Sequence, residues 1–181
     1  MKNMTTFGKR KYKKKVTKKN ILDQRTRKEI YELIRNNAGL HFRSICRNLD
    51  RKMGVVQYHI SVLEKHNLIR AVRDGRYKCF FANDADANGG LNGLDEKFRK
   101  LKETVITTLR RKTPQKLITH LAEEGRASHQ KLSTVAEVSP QAITFHTKKL
   151  KKHGIITAEK QGRQKFYTLS ERAGKIVHSL F

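Results

Sequence analysis

Side chains suited to gripping flat hydrogen-bonding edges and anions, rather than to breaking bonds, recur at helical spacing in this sequence. Gln57, Tyr58, Ser61 and Lys65 fall on one face of an apolar-striped segment, with Lys52 and Gly54 just ahead of them. Gln141, Thr144, Phe145, Lys148 and Lys152 form a second set of the same kind. Arg73, Arg76 and Lys78 follow the first set, and Lys160, Arg163 and Lys165 follow the second. A Gln amide donates and accepts side by side, Tyr adds a hydroxyl to an apolar ring, and Lys and Arg meet anions. Bond-breaking chemistry is poorly provided for. There is no phosphate-cradling GxxxxGK[S/T] run and no GxGxxG run, and acids are scarce for a paired-carboxylate site. His41, Cys46, His59, His66 and Cys79 match no standard zinc spacing. The expectation is a binding protein that is not an enzyme and needs neither cofactor nor metal.

Charge names the class of partner. Lys and Arg number 41 against 16 Asp and Glu, a formal net of +25 over 181 residues. That excess concentrates polyanions near the chain, and it exceeds the net charge of about 2–8 that suffices to keep a small domain soluble. Nucleic acid is the favoured partner, with an anionic membrane surface as the alternative. No apolar run reaches the ~20 residues of a membrane-spanning helix, and the basic N-terminus lacks the apolar stretch of a secretory signal. The two cysteines, Cys46 and Cys79, read as free thiols of a reducing compartment. A cytoplasmic, nucleoid-associated protein is expected.

The elements that must carry these side chains occur twice. Residues 25–81 align with 112–168 at an offset of 87 without a gap, with identities that include His59/His146, Leu63/Leu150, Lys65/Lys152, Gly75/Gly162 and Arg76/Arg163. Apolar positions correspond as well: Ile30/Leu117, Ile34/Leu121, Ile45/Leu132, Val56/Ile143 and Leu68/Ile155. A fixed-period repeat explains this better than chance. Each copy reads as three helices and a β-hairpin. The first helix carries Ile30, Leu33 and Ile34, or Leu117, Ile118 and Leu121; Thr113-Pro114 looks like a cap followed by a first-turn proline. Short second helices are expected at 41–49 and 128–135, and third helices at 53–66 and 140–153, the latter capped by Ser139 ahead of Pro140. Asn67 and Gly154 share the slot that needs a left-handed closing residue. Asp74-Gly75 and Gln161-Gly162 signal tight hairpins. The predicted architecture is mainly α with small β-hairpin wings: two tandem winged helix-turn-helix domains joined by a linker and a helix. Their expected bounds are 21–82 and 112–181, after a basic arm at 1–20 and around a connection at 83–111.

On the third helix, Val56, Ile60 and Leu63 take the buried stripe, which turns Gly54, Gln57, Tyr58, Ser61 and Lys65 outward. Such a helix reads the major groove of double-stranded DNA, Gln pairing with adenine and an aromatic ring meeting a thymine methyl. The narrow major groove of A-form RNA suits this pattern less well. Different residues in the equivalent slots imply that the two copies read different bases. Arg76 and Arg163 at the wings would contact phosphates or a minor groove. His59 and His146 read as packing residues, and His66 and His153 as helix-end caps favoured by a partial positive charge.

The stretch from Gly54 through Ile69, followed by Asp74-Gly-Arg-Tyr, resembles the archaeal winged-helix regulators related to ArsR and MarR proteins. Thr144 through Ile156 with Gly162-Arg-Gln-Lys-Phe-Tyr resembles a second copy, so the chain is similar to archaeal double winged-helix regulators, a group that includes activators of the archaellum operon. The resemblance covers about 24–81 and 112–170. It implies a sequence-specific transcriptional regulator that binds promoter or operator DNA and works with the transcription machinery. A replication initiator, a chromosome-architecture factor and an RNA-binding or ribosome-associated protein are the alternatives. The cysteine pair of metal-sensing ArsR proteins is absent, so metal sensing does not carry over. ArsR-like proteins dimerise through flanking helices, which implies a homodimer through 95–111 and 170–181. The rival reading sends the apolar stripes of those two segments into the second domain's own core. Residues 1–20 hold nine Lys or Arg and no acid, the composition of a disordered arm, whereas the connection is nearly neutral.

Overall fold

The computed structural model describes residues 21–75, 77–83 and 95–181. The basic arm expected at 1–20, the Gly-rich stretch at 84–94 and Arg76 lie outside the described residues. The first unit runs α1 (Arg25–Asn36), β1 (Leu40–His41), α2 (Phe42–Leu49), α3 (Met53–Lys65), β2 (Ile69–Asp74) and β3 (Tyr77–Ala82). After α4 (Glu96–Leu109), the second unit runs α5 (Lys112–Glu124), β4 (Arg126–Ser128), α6 (His129–Ala136), α7 (Pro140–Lys152), β5 (Ile156–Gln161), β6 (Gln164–Leu169) and α8 (Glu171–His178). Each unit folds its three helices onto a small antiparallel sheet, in the orders β1-β3-β2 and β4-β6-β5.

The repeat holds at the level of strand register. Leu40 faces Phe80 as Ala127 faces Tyr167, and Ile69 faces Ala82 as Ile156 faces Leu169, all offset by 87. All ten apolar residues paired between the copies are buried. Helix ends follow the same logic. Asn67 and Gly154 close α3 and α7 at φ +56° and +68°. Ser139 accepts a hydrogen bond from the Ala142 amide with Pro140 at the first helical position, and Ser170 caps α8 from the Ala173 amide.

Three local expectations need correction. Helix α5 starts at Lys112 and is capped by Arg111 without a side-chain bond, so Thr113-Pro114 is inside its first turn. Proline is tolerated there because the first amides of a helix have no intrahelical acceptor to lose. The ladders run past the Asp-Gly and Gln-Gly signals, since Asp74 pairs with Tyr77 and Gln161 with Gln164, and the loop of the second hairpin is Gly162-Arg163. Gly75 and Gly162, at φ +62° and +59°, take the first loop position, where the mirror-image turn requires a positive φ. At His153, burial and the neighbouring Lys149 lower the imidazole pKa, so the neutral ring is favoured and its cap is the backbone N–H bond to Lys149 O.

The segments outside the repeat are used internally. Val105 is fully buried in the second unit's core with Ile176 and Val177 of α8, and Phe98, Leu101 and Leu109 pack against the same cluster. The other side of α4 meets the first unit. Ile106, Arg110 and Phe81 converge on Gly39, where a Cβ would stand 3.1 Å from Ile106 Cγ2. Glycine is required there twice over, by that approach and by its φ of +78°. Strand β3 is therefore covered on both faces, and Cys79, Phe80, Phe81 and Ala82 are all buried. On β6 the slot of Phe81 holds a half-buried Thr168. The apolar stripe expected to hold two copies together is thus consumed within one chain. Val105→Lys is expected to unfold the second unit instead of separating subunits, at a cost of about 3–5 kcal/mol for an uncompensated buried charge. Urea titration followed by circular dichroism measures it.

Candidate nucleic-acid interface

Helices α3 and α7 present the same physical arrangement with different side chains. On α3, Val56, Ile60 and Leu63 are buried, while Lys52 just ahead of it and Gly54, Gln57, Tyr58, Ser61 and Lys65 are exposed. On α7, Ile143, Thr147 and Leu150 face inward, and Gln141, Thr144, Phe145, Lys148 and Lys152 face out. Tyr58 is 61% exposed and Phe145 65%, at equivalent positions. Leaving a large ring in water on an otherwise amphipathic helix has no packing reason. Each ring rests edge-on against the imidazole that follows it, Tyr58 on His59 at 5.0 Å and Phe145 on His146 at 5.4 Å between centroids. Burial lowers the pKa of both histidines, with Arg27 adding to the effect at His59 and Lys149 and Arg111 at His146. Neutral rings therefore brace the exposed aromatics. Sequence reasoning missed Met53 and Val55, which are also exposed on α3 and widen its apolar contact surface.

Two exposed hydroxyls on these helices are already engaged with backbone. Ser61 Oγ donates to Gln57 O at 2.9 Å, and Thr144 Oγ1 donates to Pro140 O at 3.0 Å. Gly54 has nothing within 4 Å of where a Cβ would lie, so another backbone can approach α3 closely there. The turns that aim the reading helices are alike as well. Asp50 and Glu137 hold the left-handed conformation at φ 46° and 57°, one repeat apart. Lys116 anchors Glu137 at 2.6 Å, which holds that carboxyl below its ordinary pKa.

In the second unit a groove of about 780 Å³ between α7 and the wing brings together some of the predicted residues, whereas Gln141, Phe145 and Lys152 do not line it. Thr144 and Lys148 line one wall with Lys151, and Lys160, Arg163 and Lys165 line the other. Tyr167 and His129, which sequence reasoning did not single out, also line it. His129 Nε2 lies 3.1 Å from Pro140 O and Nδ1 lies 3.2 Å from the Tyr167 hydroxyl. A carbonyl can only accept, so Nε2 carries the proton and Nδ1 accepts from Tyr167. That relay ties strand β6 to the first residue of α7.

In the first unit, Tyr77 lies edge-on to His41 at 5.5 Å. Burial pushes the Cys79 thiol up to about 11, and its Sγ lies 3.3 Å from His41 Nδ1. Arg73 and Lys78 are exposed and directly opposite each other across the β2–β3 ladder. Lys160 and Lys165 occupy the same relation across β5–β6. Like charges directly opposed on a sheet destabilise it. Their recurrence in both wings is what an anion seated between them would offset. The tip of the first wing does not project freely, however: Asp74 is bound by Arg111 and Lys149 of the second unit. Among the described residues, no three His, Cys, Asp or Glu side chains stand together to hold a metal ion, and no helix is long and apolar enough to cross a membrane.

The buried His59 and the half-buried His146 make stability pH-dependent. The unfolded chain protonates them near their ordinary pKa of 6.5, while the folded chain protonates His59 and His146 only at lower pH. Stability from these groups is complete above that value and declines as pH falls below it, because the unfolded state then binds more protons. Thermal melts should show Tm dropping between about pH 6.5 and 5, and His59→Gln with His146→Gln should flatten that segment.

Residues 24–89 match a family described as an N-terminal HTH domain, and residues 110–157 match the family of winged helix-turn-helix DNA-binding domains. An uncharacterized HTH-type transcriptional regulator of Methanocaldococcus jannaschii is 24% identical over 158 residues, covering 84% of this chain. The chain spans 37% of that relative's length. Among solved structures, HlyU from Vibrio cholerae superposes at a TM-score of 0.41 and 21% identity, covering 48% of this chain and 94% of its own. A homodimeric winged helix-turn-helix domain from Mycobacterium bovis gives 0.41 and 15%, covering 50% and 86%. Each unit thus has the winged helix-turn-helix fold, the first matching an N-terminal HTH domain and the second a winged helix-turn-helix DNA-binding domain.

Proposed function

We propose that this chain is a transcriptional regulator that binds double-stranded DNA sequence-specifically, with α3 and α7 in the major groove. The observation that carries this is the pair of opposed cations repeated in both wings, each beside a helix bearing an exposed aromatic at the same slot. Gln57 reads adenine, and Tyr58 and Phe145 meet thymine methyl groups, with Thr144 and Gln141 as the second unit's hydrogen-bonding readers. Lys52, Lys65, Lys148 and Lys152 meet phosphates from the helices, and Arg73, Lys78, Arg163 and Lys165 from the wings; Arg76 is placed there by sequence alone. Because the equivalent slots hold different residues, the target is asymmetric within one chain. With the α4 stripe internal, the apolar surface remaining at this end for a second copy is Leu180 and Phe181, 40% and 78% exposed. Promoter binding and work with the transcription machinery follow from this reading. Selection from a random duplex pool, then footprinting on genomic fragments, tests it; binding indifferent to sequence would make the chain an architectural protein instead.

Gln57→Ala should cost about 1–3 kcal/mol on the preferred duplex and relax discrimination at one or two base pairs, read by competition binding. Lys160→Gln should act in opposite directions on two quantities. Removing one of two opposed like charges should stabilise the free protein by about 0.2–1 kcal/mol. The same change should weaken binding to every duplex and reduce the log–log salt slope by about 0.9.

A further inference from the structure

Strand β2 of the first unit is gripped at both ends by the second unit. At one end, Arg70 donates from Nε (2.8 Å) and Nη2 to Glu103 Oε1 of α4, a carboxylate only 5% exposed. Arg70 Nη1 also donates to Ala82 O, and the guanidinium stands 5.5 Å from the Phe81 ring centroid. Four residues further, about 13 Å along a strand, Asp74 is bound by Arg111 and, at 3.7 Å, by Lys149 of α7. A third attachment lies elsewhere: Arg110 donates from Nε and Nη2 to Ala38 O at 2.9 and 2.6 Å, beside the Gly39–Ile106 contact. Three separate points fix one body against another in all directions. The chain of contacts is also short. Ile69 at the start of β2 shares the first unit's core with Ile60 and Leu63 of α3, and Asp74 at its end touches α7 itself.

We infer that Asp74 and Glu103 are positioning residues that set the distance and angle between α3 and α7. The chain then recognises a single composite DNA site with a fixed number of base pairs between its two parts. This rests on the proposed function. One inserted base pair moves one part by about 3.4 Å and turns it by about 35°, which a locked pair of helices cannot follow. Two units free to reorient would absorb it.

The test uses the intact chain and its selected duplex, with one, two or five base pairs inserted between the parts protected by α3 and α7. The wild type should lose about 10- to 100-fold in affinity on a single insertion, the loss of two-site engagement. Asp74→Asn should cut that penalty below about threefold while leaving base preference within each part unchanged, and Arg111→Gln, which removes the closer of the two cations on Asp74, should do the same from the other side. A merely destabilising change would lower affinity equally on every spacer. Electron-spin distance measurement between labels at Ser61→Cys and Lys152→Cys gives a reading without DNA: one narrow distance, broadened by Asp74→Asn. A wild type that tolerates insertions, or an Asp74→Asn protein with an unchanged penalty and an equally narrow distance, would overturn the inference alone. Failure to select any duplex would overturn the proposed function and this inference with it.

Discussion

Glu103 is the interaction on which the arrangement of the whole chain turns. A carboxylate nine-tenths buried in a protein of formal charge +25 is held where its field is compensated, by Arg70 reaching across from another domain. Removing either partner would leave the other buried and unpaired, which costs far more than the pair contributes when intact. That asymmetry makes the junction all-or-none. It also explains why α4, rather than a freely hinged tether, stands between the units: one side fills the second core with Val105, and the other closes over Phe81.

The reading helices divide their labour by face. Inward, Val56, Ile60 and Leu63 or Ile143, Thr147 and Leu150 are so enclosed that only matched volumes fit. Outward, equivalent exposed slots hold different side chains, Gln57 against Thr144 and Tyr58 against Phe145. The copies share the scaffold and differ in the side chains they expose. His59 and His146 sit on the boundary, their pKa values lowered by burial, and each exposed aromatic rests edge-on against one of them. The groove of the second unit adds the Tyr167–His129–Pro140 chain, which fixes wing and helix to each other by hydrogen bonds that the first unit replaces with His41, Tyr77 and Cys79.

Most of the architecture was legible because periodicity and cap residues are local signals. Asn67, Gly154, Ser139 and Ser170 each do what their type favours, and the 87-residue offset survives into strand register. What escaped was non-local. The continuous run Cys79-Phe80-Phe81-Ala82 is the mark of a strand buried on both faces, against the alternation of a strand with one wet side. Read that way, it announces that something covers the first sheet. The apolar stripe of α4 likewise cannot say by itself whether its partner is the same chain or another copy. The tip of the first wing was misjudged because Asp74, taken as a turn residue, is held by cations 37 and 75 positions away.

Equal register in neighbouring copies carries a hazard during synthesis, because a hairpin strand of one copy can dock on the wrong partner before both are complete. The differences between the copies work against it. A hybrid of β5 with β3 would set Glu159 opposite the enclosed Cys79 and Thr157 opposite Phe81. A carboxylate there would have no cation of its own, and Phe81 would lose the Arg70 guanidinium that lies near its ring. The differences between the copies thus favour pairing of each hairpin strand with its own sheet.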